Sequence, residues 1–147
     1  MKFILLLLLS FPAFAQVELI NVNLTTKEFY KVERAVNSIN KAFRNYEFVK
    51  KIYKIDSKLP HLTRQPVTLN IRREVIGSDK IAQFDGDITI AVDMIDQMTA
   101  FHASTICHEI AHYWGYEHNT YDYYDSVPVA FGDACRVYFM NTERDWR

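Results

Sequence analysis

The sequence predicts a single α+β domain, on three observations. A capping box opens a run of apolar residues at three- and four-residue spacing. Beyond it, short stretches alternate apolar and polar around hairpin signals. A second helical stretch then carries three of the five histidines within eleven residues.

The elements follow in order. Met1-Lys2 gives a charged start, Phe3 to Leu9 is unbroken apolar sequence, and Ala13-Phe14-Ala15 is an A-x-A cleavage site before Gln16. Residues 1–15 therefore read as a secretory signal peptide. The alternative, a membrane anchor, needs roughly 20 apolar residues, far more than this run supplies. No cysteine follows the run, which argues against a lipid anchor, and no other segment is apolar enough to span a bilayer. The mature chain is expected to be exported, secreted or periplasmic, as one domain of 132 residues from Gln16 to Arg147.

Val17 to Leu24 alternates weakly and reads as a first strand. Thr25-Thr26-Lys27-Glu28 is the capping box, and Phe29, Val32, Val36, Ile39, Phe43 and Phe48 mark one buried face of a long helix reaching about Tyr53. A helix docking on a partner or a membrane surface is the alternative to this core-packing reading. Pro60 to Pro66 reads as a connecting loop, with His61 as a surface residue. Val67 to Arg73 alternates as a half-buried strand, and Gly77-Ser78-Asp79 makes a turn. Ile81 to Phe84 and Ile88 to Val92 flank Asp85-Gly86-Asp87 like a hairpin. A second helix is predicted from about Asp96 to Trp114, followed by a short irregular C-terminal part; His102 reads as a helix-surface residue.

Removing Lys2 leaves 16 basic residues against 18 acidic, a formal charge of −2 with no basic stripe, so nucleic acid is not an expected partner. Oligomeric state is not legible, and a monomer is the expectation. Cys107 and Cys135 are the two cysteines, which invites a disulfide in an oxidising compartment. Two buried free thiols are the alternative.

The chemistry lies in His108-Glu109-Ile110-Ala111-His112-Tyr113-Trp114-Gly115-Tyr116-Glu117-His118, which reads H-E-x-x-H-x-x-G-x-x-H. On a helix His108 and His112 stand roughly 40° apart around the axis, one turn from each other, so both can hold one tetrahedral zinc ion. Glu109 is placed to reach a water on that ion rather than the ion itself. Gly115 lets the chain leave the helix in a left-handed turn, and His118 returns as third ligand. A fourth position left for water distinguishes a catalytic zinc from a closed structural one. A bare H-E-x-x-H also arises by chance on amphipathic helices; the added glycine and third histidine make that explanation poor.

These residues resemble the metzincin superfamily of zinc endopeptidases, strictly over the eleven-residue motif and loosely over the rest of the chain. The resemblance implies His108, His112 and His118 as zinc ligands, Glu109 as general base and Gly115 as the turn between them. It implies a zincin-like fold: a twisted, mostly antiparallel-edged sheet packed on two helices, with a small lower subdomain. Substrate would lie extended along an edge strand, for which Ile81 to Ile90 is the candidate. Metzincins carry a methionine in a turn beneath the zinc, but Asp122 to Gly132 holds none, leaving Val127 or Pro128 of Ser126-Val127-Pro128 in its place. Neither a propeptide nor a cysteine-containing latency segment is evident.

Tyr121, Tyr123 and Tyr124 could donate to an oxyanion or line a pocket, with aromatic packing as the plainer role. Asp125 and Asp133 could accept from ligand imidazoles, with turn and capping roles as the alternative. The expected activity is hydrolysis of protein or peptide substrates with one zinc per chain. The alternatives are a non-catalytic exported zinc-binding module and a zinc hydrolase of a non-peptide substrate.

Overall fold

The structure, a computed structural model, describes residues 17–74, 82–84, 88–91, 95, 97–143 and 146. The expected signal peptide and the expected turns at Gly77-Ser78-Asp79 and Asp85-Gly86-Asp87 lie outside the described residues.

Strand β1 (Val17–Asn21) leads into helix α1 (Thr26–Arg44), and the capping box closes as the sequence requires. Glu28 N–H donates to Thr25 Oγ1 at 3.3 Å, and Thr25 N–H donates to Glu28 Oε2 at 2.8 Å. Val32, Ala35, Val36, Ile39 and Phe43 form the buried face. The helix does not run on to Tyr53. Asn45 takes an extended backbone, and its side chain accepts from Phe48 N–H at 2.9 Å, so it ends α1 and caps α2 (Tyr46–Tyr53). An asparagine that satisfies a helix start with its own side chain competes with helix continuation. The break sets Phe48 against Phe43 and Phe131, with ring centroids 6.3 Å away in each case. The expected loop around Pro60 contains a short helix, α3 (Leu59–Leu62), with Pro60 in its first turn, where a missing N–H costs nothing.

Strands β2 (Val67–Glu74), β3 (Ala82–Phe84) and β4 (Ile88–Ala91) complete a four-stranded sheet of order β1-β2-β4-β3. The expectation of a mostly antiparallel-edged sheet is overturned. β1 pairs β2 in parallel, beginning at Val17 opposite Val67, and β2 pairs β4 in parallel. Only β3 and β4 run antiparallel. The reason is connectivity: α1 to α3 form the crossover that a parallel pair requires, whereas three residues join β3 to β4. The edge nearer the site is β3, within the stretch expected to supply it.

Helix α4 (Ala100–Tyr113) starts at Thr99, later than Asp96, with His102 completing its cap: Thr99 N–H lies 3.3 Å from His102 Nδ1. The C-terminal part is not irregular. It forms α5 (Val127–Thr142), whose Phe131, Ala134, Cys135 and Phe139 are buried. Ser126-Val127-Pro128, likened to a turn in the sequence, is a helix start, with Pro128 in the first helical turn. Gly132 sits where α5 crosses α4: a Cβ there would meet His108 Cβ at 3.3 Å and Ser104 O at 3.4 Å. Cys107 and Cys135 form a disulfide across this crossing, with Cα atoms 6.6 Å apart. The chain is thus mixed α+β with five described helices, rather than a sheet on two. No described helix is long and apolar enough to cross a membrane.

Candidate metal centre

Local helix geometry places the first two histidines and a glycine turn places the third. His108 and His112 project from the same face of α4. At its end, Gly115 N–H donates to His112 O at 2.9 Å and Tyr116 N–H to Ala111 O at 3.0 Å. This bond pair is the Schellman motif, which requires a left-handed residue at its turn. Gly115 supplies it with φ of +88°, the one positive φ among the described residues. The chain then folds back and delivers His118.

The three Nε2 atoms converge. His108 and His112 lie 3.3 Å apart, His108 and His118 3.3 Å, and His112 and His118 3.2 Å. A tetrahedral ion with Zn–N bonds of about 2.0–2.1 Å spaces its nitrogens about 3.3–3.4 Å apart, so the triangle matches the ion. The three residues could hold a metal ion, and the set is compatible with zinc.

The opposite ring nitrogens explain why this matters electrostatically. His112 Nδ1 lies 2.7 Å from the Tyr116 carbonyl, and His108 donates to the backbone of Pro128. Ser126 Oγ donates to the Tyr123 carbonyl at 2.8 Å and stands 3.2 Å from His118 Nδ1, which it therefore meets as acceptor. Each ring is held with its N–H turned outward and its lone pair inward. Three lone pairs at this spacing repel one another unless a cation lies between them. Burial, then the His112 and His118 rings, lowers the His108 pKa to about 4. Burial, then His112, also lowers that of His118. Both stay neutral, as ligands must be.

These partners were not legible in the sequence, and the two aspartates considered for the role lie elsewhere, Asp125 in the turn that was the plainer reading. Asp133 pairs with Arg136 at 3.0 Å, and Asp125 is an exposed member of a turn capped by Asp122. Ser126-Val127-Pro128 is the start of α5 rather than a turn, and it holds two of the three histidines through Ser126 Oγ and the Pro128 backbone. The one available signal was a serine before a proline, an ordinary helix-start pattern.

Glu109 is buried to 7% exposure and shares the wall of a cleft of about 990 Å³ with the histidines. Tyr123 lies over His118 at 4.2 Å between ring centroids, and its pKa is raised by burial, then by Glu109 and Tyr124. Tyr124 also lines the cleft, whereas Tyr121 is fully solvent-exposed. Phe84 of β3 packs edge-on against Tyr113, tying the sheet edge to α4 beside the site. Gly115 and Gly132 line the cleft, while His61 and His102 take no part in it. Comparison with protein-family models, with curated proteins and with solved structures finds no match to this chain.

Proposed function

We propose that this protein is an exported, metzincin-like zinc metallopeptidase. The carrying observation is the triangle of three Nε2 atoms, each edge 3.2–3.3 Å, with Glu109 on the same cleft wall. His108, His112 and His118 would hold the ion, and Tyr116, Pro128 and Ser126 keep the three rings aimed. Zinc bound there supplies Lewis-acid polarisation of a scissile carbonyl and of the attacking water. Glu109 would take the proton of the attacking water and pass it to the leaving amine, which departs poorly unless protonated. Tyr123 and Tyr124 wall the cleft, and β3 offers its edge to an extended chain.

The Cys107–Cys135 disulfide is compatible with export, in line with the signal peptide expected at residues 1–15. The start of α5 lies behind the histidines, where Ser126 Oγ meets His118 and the Pro128 backbone accepts from His108.

The test is to measure zinc in the purified mature chain and compare its cleavage of a complex peptide mixture with that of Glu109→Gln. One zinc per chain and products lost in the variant are expected. Zinc without Glu109-dependent products would make the metal a structural clamp, and absence of zinc binding would end the proposal.

A further inference from the structure

Charge is segregated along this chain. Residues 81–135 contain nine acidic residues and no Lys or Arg, whereas residues 17–80 contain thirteen basic residues and seven acidic. Every described residue lining the cleft belongs to the first group. Its charged side chains are Glu109, Glu117 and Asp133, the last paired with Arg136 just outside the lining, and no Lys or Arg lines it among the described residues. Exposed Asp122 and Asp125 follow in the segment that carries Tyr123 and Tyr124. The wall is also aromatic. Tyr123 and Tyr124 are 51% and 81% exposed and stand edge to face, offering ring surfaces on which a cationic side chain can rest.

We propose that the cleft selects cationic peptide segments, rich in Lys or Arg on either side of the cleaved bond. The inference rests on the hydrolytic reading above and names its substrate class. Carboxylates gathered in a cleft walled by protein focus a field that draws oppositely charged ligands and raises their on-rate. The bland alternative is a solvated acidic face. It does not account for aromatic rings set beside the carboxylates, nor for the absence of every basic residue from this stretch.

The test uses two peptides of equal length around a common apolar centre, one flanked by Lys and one by Glu. Binding to zinc-loaded Glu109→Gln is followed by fluorescence anisotropy, so it does not depend on turnover. At low salt the Lys peptide is expected to bind at least about tenfold more tightly, with the gap closing as the Debye length falls from about 30 Å to about 8 Å. Combining Glu117→Gln, Asp122→Asn and Asp125→Asn should shrink the gap. Equal binding, or tighter binding of the Glu peptide, overturns the proposal. The two readings separate cleanly. Glu109-dependent cleavage without Lys preference would leave hydrolysis standing alone, and Lys preference without cleavage would leave charge selection standing alone.

Discussion

Replacing Ser126 by Ala removes one atom from behind the candidate metal centre. Ser126 is buried, and its Oγ bridges the Tyr123 carbonyl at 2.8 Å and His118 Nδ1 at 3.2 Å. With the hydroxyl hydrogen committed to the carbonyl, the oxygen fixes the His118 proton on Nδ1 and frees Nε2. The alanine variant loses both bonds, so His118 can rotate or change tautomer. Loss of such an orienting partner typically costs about 10- to 100-fold in metal affinity, or about 1.4–2.8 kcal/mol. Loss of a helix cap does not confuse the result, because Ser126 stands at the N-cap of α5 without a side-chain cap bond. Zinc affinity is read by competition with a chromophoric chelator, with urea unfolding of the metal-free proteins as control. Wild-type affinity in Ser126→Ala would refute the claim that this hydroxyl aims the third ligand.

Gly115→Ala should destabilise the protein by about 1–2 kcal/mol through its left-handed backbone alone, since a Cβ there meets nothing within 4 Å; a neutral urea midpoint would contradict this. Replacing Cys107 and Cys135 together by Ser opens a loop of sequence separation 28, and the chain-entropy estimate for that length is about 3.6 kcal/mol of lost stability. A loss under about 1 kcal/mol would show that packing of α4 on α5 holds the crossing unaided. In the metal-free protein, the folded-state pKa of His108 is about 4 against 6.5 when unfolded, so the unfolded chain binds the extra proton between these values. Stability is therefore complete above about pH 6.5 and falls as pH drops to about 4, with His118 contributing in the same direction. A urea midpoint that rises on acidification would contradict the assignment.

The candidate metal centre was legible because its parts are local. His108, Glu109, His112, Gly115 and His118 lie within eleven residues, and helix geometry with one left-handed turn brings them together. The groups that aim the rings were not legible. Tyr116 and Pro128 act through their backbones, which carry no residue signature, and Ser126 is eight residues from His118 in sequence. The same division holds for the fold. The box at Thr25 and Glu28 announced α1 correctly, but apolar spacing continued past Asn45 and hid the break. Alternation located β2, β3 and β4 without giving their directions, which follow from what connects them. Helix α5 lacks the polar stripe that would have marked it because apolar Val137 and Met140 stand on its exposed face.

The most direct measurement is the zinc coordination sphere of the mature protein by X-ray absorption. Three imidazole nitrogens and one exchangeable oxygen at about 2.0–2.1 Å are expected, with one imidazole lost in His118→Ala. A sulfur ligand, or four protein ligands with no exchangeable position, would contradict an open three-histidine centre.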